Sequence, residues 1–236
     1  MTHATVQRVL KGGRWPDPDA VADASRGGAE MLESLREVLR TDLRRQPEES
    51  ALWVIIGLTG QHAGLAEPGP ALEAARDLAA LYRRYDDDTL EAVTEALVAV
   101  GPAALPAVEE ILADRVVRWY GRAMAAAAAV RLARHRDDDR KRVGQLLRGI
   151  LDERPRGGDP SDNERSLWAA VAWGLAVLPD PGARPRIEKL FSRGYINEPT
   201  ITMETIAGAY KRAGPSGRKP AEPFATHYRK LFDEKP

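Results

Sequence analysis

The stretch Ala96-Leu-Val-Ala-Val-Gly-Pro-Ala-Ala-Leu-Pro-Ala-Val-Glu-Glu-Ile-Leu112 has a counterpart in Gly174-Leu-Ala-Val-Leu-Pro-Asp-Pro-Gly-Ala-Arg-Pro-Arg-Ile-Glu-Lys-Leu190. In each, an apolar helix runs into a proline-containing turn and a second, amphipathic helix begins. Pro106 and Pro185 lie 79 residues apart. That is close to two periods of a helical-hairpin repeat of about 40 residues. An intermediate copy is therefore expected, and Arg131-Leu-Ala-Arg134, the Asp137–Asp139 turn and a helix from Arg142 to Leu151 supply it.

A second register comes from small residues inside the first helix of each hairpin. Gly57-Leu58, Ala96-Leu97, Gly174-Leu175 and Gly208-Ala209 occupy comparable places, while Arg131-Leu132 fills the gap and breaks the small-residue rule. The successive spacings are 39, 35, 43 and 34 residues. Glycine within a helix costs about 1 kcal/mol relative to alanine, so these glycines need a reason, and close approach of packed helices supplies one.

Together the registers predict five helix pairs: 48–63 with 70–85, 87–100 with 102–113, 115–134 with 138–152, 162–178 with 182–193, and 198–212 with 221–234. Leu105, Val108, Ile111 and Leu112 fall on one helical stripe, as do Val143, Leu146, Leu147 and Ile150, and Ile187, Leu190 and Phe191. Asp86–Asp88 and Asp137–Asp139 stand where carboxylates accept free N–H groups and oppose the helix dipole, so both triplets read as caps. The first 27 residues, broken by Gly12-Gly13, Trp15-Pro-Asp-Pro18 and Gly27-Gly28, precede a helix from Ala29 to Arg45.

The expected fold is all-α: a right-handed solenoid of about five helical hairpins forming a single domain over 1–236. Its expected parts are an N-terminal helical cap (1–47), the repeats (48–212), and a mobile loop with a C-terminal helix (213–236). Terminal segments of a repeat stack must cover an otherwise exposed apolar face, which explains the cap.

Composition agrees. The chain has 236 residues, 43% of them hydrophobic, and only 3 Phe, enough to bury a sizeable core without strand-like alternation. It has no cysteine, which removes disulfides, thiolate metal sites and cysteine nucleophiles, and fits a reducing compartment. No secretory leader or apolar span of membrane length is visible, so a cytoplasmic protein without membrane contact is expected. The net charge is zero but unevenly distributed: residues 1–112 carry 11 Lys/Arg against 19 Asp/Glu, and residues 113–236 carry 24 against 16.

The segment from Gly101-Pro-Ala-Ala-Leu-Pro-Ala-Val108 through Leu112-Ala-Asp114, then Val117-Arg118 and the Ala-rich run to Leu132, resembles the bacterial HEAT-repeat pattern. In that pattern a Gly-Pro turn, a Leu-Pro helix, an Asp turn and a Val-Arg helix succeed one another. The resemblance covers residues 48 to 212, and the N-terminal segment is similar to that of uncharacterised bacterial HEAT-like proteins. It implies a solenoid that binds something without naming the ligand.

No phosphate-binding loop, dinucleotide fingerprint, nucleophile elbow or zinc-protease motif is present. His3, His62, His135 and His227 are scattered singly. No catalytic residue, metal site or cofactor is therefore expected. The surface that stands out is basic. In a HEAT solenoid the second helices line the concave face, and there Lys141, Gln145 and Arg148 form one row and Arg186, Lys189 and Arg193 another, beside Arg154 and Arg156. The leading expectation is a non-catalytic protein-binding scaffold that holds an acidic segment of another protein. The alternative is a nucleic-acid-binding HEAT-like protein resembling DNA-base glycosylases, with Arg115, Arg118, Trp119 and Arg122 as a basic–aromatic cluster.

Overall fold

The computed structural model describes residues 4–11, 17–41, 68–84, 89–134, 136–155, 158–196 and 201–212. Eleven α-helices and no strand occur among the described residues: α1 Ala4–Lys11, α2 Pro18–Ser25, α3 Gly28–Thr41, α4 Pro68–Ala79, α5 Thr89–Val100, α6 Leu105–Ala113, α7 Trp119–Ala133, α8 Asp137–Leu151, α9 Asp162–Val177, α10 Arg184–Ser192 and α11 Met203–Arg212. The fold is all-α. The helices expected at 48–63 and 221–234, and the triplet Asp86–Asp88, lie outside the described residues.

The paired turns that decided the fold class take the same form twice. Pro102–Ala104 is a 3-10 turn that leads into α6, and Pro181–Ala183 is a 3-10 turn that leads into α10. The offset of 79 residues holds at both ends of both elements. It holds in the hydrogen bonding as well, with Ala104 N donating to Gly101 O at 2.9 Å and Ala183 N to Asp180 O at 3.2 Å. Proline at the opening of each piece needs no donor there and has its φ pre-set for the helix. Gly101 takes φ 84°, a left-handed conformation that lets α5 end and the chain turn at once.

Several boundaries differ from the sequence expectation for local reasons. The helix expected over 102–113 is α-helical only from Leu105, because its first turn is the 3-10 turn. The helix expected from 115 begins at Trp119: Asp114 Oδ1 accepts from Val116 N at 3.0 Å and holds Asp114–Arg118 as a turn. The helix expected over 70–85 gives way to a 3-10 segment, Ala80–Arg83. Asp137–Asp139 form the first turn of α8 rather than its cap, which is Arg136 without a side-chain cap bond. Carboxylates in that turn still oppose the helix dipole.

The chain divides into two compact units, Met1–Ala107 with Pro220–Pro236, and Val108–Lys219. In the first, α1 packs on α2 and α3, α3 on α4, and α4 on α5 and on the 3-10 turn that precedes α6. Leu32, Leu35, Leu78, Leu81, Leu90 and Leu97 fill its core. Tyr82 is wholly buried, and its hydroxyl lies 2.8 Å from Thr94 Oγ1, so neither polar atom is left unsatisfied. Buried Arg36 bonds Asp77 at 2.7 Å, Glu73 at 2.8 Å and Glu33 at 2.7 Å, tying α3 to α4. Burial alone would lower the pKa of Arg36, but the Asp77 and Glu73 hydrogen bonds outweigh it and raise it.

In the second unit α9 is central, packing on α7, α8 and α11. Its start is fixed by a capping box: Glu164 N donates to Ser161 Oγ at 3.3 Å, and Ser161 N donates to Glu164 Oε2 at 2.9 Å. Buried Trp168 donates from Nε1 to Ile150 O at 3.0 Å and stacks on Tyr195 with ring centroids 5.9 Å apart. Gly174 explains the small-residue register at its position, since a β-carbon there would meet Val130 Cγ2 at 2.9 Å and Leu147 Cδ1 at 3.5 Å. Gly208 does not fit that explanation, because a β-carbon there would meet only the Arg212 guanidinium, at 3.2 Å. Gly57 lies outside the described residues.

Candidate functional site

The eight residues expected to form a basic strip separate into three groups. Lys141, Gln145, Lys189 and Arg193 are exposed, and their side chains make no hydrogen bond or ion pair among the described residues. Arg154 is exposed, and its main-chain oxygen accepts from Arg115 at 3.4 Å. Arg148 and Arg186 are held by carboxylates. Arg156 lies outside the described residues.

Arg148 projects from α8 to the Asp180 carboxylate in the turn before α10, and both side chains are largely withdrawn from water. Asp180 Oδ1 also accepts from Gly182 N at 3.0 Å, so Asp180 caps the turn. Its main-chain oxygen accepts the Tyr210 hydroxyl at 2.9 Å, which brings α11 to the same point. Burial, with the Asp180 charge nearby, pushes the Tyr210 phenol up to about 12. One turn further on, at the C-terminal cap of α8, Asp152 lies 3.2 Å from Arg186 Nε, whose guanidinium also donates to Gly182 O at 3.3 Å. On the N-terminal side, Arg142 of α8 lies 2.7 Å from Glu109 of α6. Burial raises the Glu109 pKa, with Arg142 opposing the shift.

These pairs lace α6 to α8, and α8 to the turn before α10 and to α10 itself. The sequence carries a signal for them that composition alone hides: Glu109 and Arg142, Arg148 and Asp180, and Asp152 and Arg186 are opposite charges separated by 33, 32 and 34 residues. Each separation is somewhat under the repeat of about 40 residues expected from the sequence.

The basic–aromatic cluster is divided in the same way. Arg122 is buried, donating to Leu112 O at 3.1 Å and to both oxygens of Glu153 at 3.0 and 2.5 Å. Arg115 lies 3.4 Å from the same Glu153. Arg118 is the exposed residue before α7, and Trp119 is half-buried, edge-on to Tyr120. The internal arginine of this hairpin is thus Arg122, one turn beyond the Val117-Arg118 position that the HEAT pattern marks.

Among the described residues no group of three or more His, Asp or Glu could hold a metal ion. No single described helix is long and apolar enough to cross a membrane. No protein-family model, curated protein or solved structure matches the chain.

Proposed function

We propose that the chain is a non-catalytic protein-binding scaffold, that its hairpins stack as a right-handed HEAT-like solenoid, and that its second-helix face holds an acidic segment of a partner protein. The observation that carries this reading is the division of labour on α8 and α10. Arg148 and Arg186 are engaged by Asp180 and Asp152, while Lys141, Gln145, Lys189 and Arg193 project from the helices so fixed. Cations on a rigid frame lose less freedom on binding than cations on a mobile one. The repeated turn-and-helix unit and the succession of contacts α7 to α9 to α11 support the repeat architecture. A cysteine-free chain of this kind suits the cytoplasm.

The test reverses only the unengaged cations: Lys141→Glu, Lys189→Glu and Arg193→Glu in one variant. Affinity capture from the native host should lose the acidic partners that the unmodified chain retains, with the circular dichroism spectrum unchanged. Retention of those partners by the triple variant would remove this face. Arg148 and Arg186 are left intact because reversing them would separate α8 from α10.

A further inference from the structure

Three turns follow the second helices of the Val108–Lys219 unit, and each carries an arginine with an apolar residue just after it. They are Arg115-Val116 after α6, Arg154-Pro155 after α8 and Arg193-Gly-Tyr195 after α10. The arginines fall 39 residues apart at both steps, where the small-residue spacings scatter between 34 and 43.

Side chains of the first helices hold these turns side by side. Buried Arg122 of α7 donates to Leu112 O, at the end of α6, and to Glu153, beside Arg154. Trp168 of α9 does the equivalent at the next pair of turns: its Nε1 donates to Ile150 O, near the end of α8, and its ring stacks on Tyr195. Arg165 of α9 adds bonds to Pro160 O and Gly194 O. Arg115 itself reaches across to Arg154 O at 3.4 Å. The row therefore follows one edge of the unit, at the C-terminal ends of α6, α8 and α10.

All three arginines are exposed, and so is Val116, at 89%; Pro155 and Tyr195 are half-buried. The carboxylates beside them are engaged. Asp114 Oδ1 accepts from Val116 N, Asp152 pairs with Arg186, and Glu153 lies between two guanidiniums, those of Arg122 and Arg115. Asp159 and Asp162 remain exposed at the α9 end of the second connection, five and eight residues beyond Arg154. They would repel a wide acidic surface, which favours a narrow strand along the row.

We propose that this edge holds an extended acidic strand of a partner protein in polyproline II form, with a carboxylate at every third residue and apolar residues between. The inference rests on the scaffold reading above and supplies the register of its acidic segment. Packed helices stand about 8–10 Å apart, which sets the pitch of the row where hairpins stack. A polyproline II strand has three residues per turn and advances about 9 Å in each. One carboxylate per turn then meets one guanidinium per hairpin, and the residues between lie over Val116, Pro155 and Tyr195. A β-strand repeats its face every second residue, at about 6.7 Å, and falls out of step. Guanidinium groups pair with carboxylates in a fixed geometry, and polyproline strands dock on apolar and aromatic side chains.

The test uses the full chain at low ionic strength and two fluorescein-labelled peptides of one composition, read by fluorescence anisotropy. One has six Glu-Pro-Pro repeats, the other three Glu-Glu-Pro-Pro-Pro-Pro repeats. The evenly spaced peptide should bind, weaken with added salt, and exceed the other in affinity by about fivefold or more. Arg154→Gln with Arg193→Gln should weaken it by about fivefold or more, while Lys141→Gln, in the first half of α8, should leave it unchanged. Glutamine is used because a carboxylate at the end of α10 would oppose the helix dipole, and the thermal melt of the double variant should match the parent's. No binding of the evenly spaced peptide, equal binding of the two, or indifference to the arginine changes would overturn the proposal. So would tighter, Arg154- and Arg193-dependent binding of a single-stranded oligothymidylate. Peptide binding that depends on Lys141 and not on Arg154 would also overturn it, while leaving the scaffold reading in place.

Discussion

The Asp180 carboxylate occupies the space that a side chain at Gly144 would need: a β-carbon at Gly144 would lie 2.7 Å from Asp180 Oδ2. Gly144 is buried in the middle of α8, where alanine would favour the helix by about 1 kcal/mol. Its absence of a side chain admits a carboxylate that is fixed on its other side by Arg148 and Gly182 N. Gly144→Ala should therefore destabilise the chain by about 1 kcal/mol, the lost charge-assisted bond exceeding the gain in propensity. In an Asp180→Ala background the same change should stabilise. Urea unfolding of the four chains measures this, and an equal effect in both backgrounds would show that the residues are not coupled.

Two glycines in equivalent sequence positions should respond in opposite directions. At Gly174 a β-carbon meets Val130 at 2.9 Å across a packed helix pair, and overpacking of that kind costs about 1–3 kcal/mol. At Gly208 it meets only the movable end of Arg212, so alanine should add about 0.5–1 kcal/mol of helix stability. Thermal melts of Gly174→Ala and Gly208→Ala should shift down and up respectively. Equal shifts would count against the close approach of α9 to α7.

Removing Arg122 should be among the most damaging single changes to the second unit. Its guanidinium satisfies Leu112 O and is paired to Glu153, and Arg122→Ala strands the carbonyl and leaves Glu153 to the more distant Arg115. Breaking a buried pair by deleting one partner costs about 3–5 kcal/mol. Glu153 keeps some contact with water, so the lower end of that range is expected. An unfolding free energy within about 1 kcal/mol of the parent's would show that the pair contributes little.

Glu109 gives the stability a readable pH dependence. Its carboxyl is held above the ordinary 4.5 by burial, against the pull of Arg142. The folded chain thus binds this proton more tightly than the unfolded chain does. The stabilising contribution is complete below 4.5 and is lost as pH rises through the raised value. Glu109→Gln carries no such titration, so its stability relative to the parent should improve as pH rises toward neutral. A difference that stays constant across that range would exclude the linkage.

Helix positions were legible because they rest on local chemistry. Proline at the start of α6 and α10 and the apolar stripe of α6 both act within a few residues. The 3-10 turns were not legible as such, since Pro-Ala-Ala and Pro-Gly-Ala begin either kind of helix, and the hydrogen bond from the third residue to the one before the proline decides between them. The basic strip was legible only as a set of positions. Whether Arg148 is an open cation or half of an ion pair depends on Asp180, 32 residues away, and on the missing side chain at Gly144. Trp168 and Trp173, five residues apart, stand on two sides of one helix, and Ile150 and Tyr195 set which of them faces inward.

The 79-residue interval between the two turns also has a genetic consequence. A deletion from Pro102 to Asp180 would splice Gly101 onto Pro181 and still present a 3-10 turn followed by an α-helix of the same length.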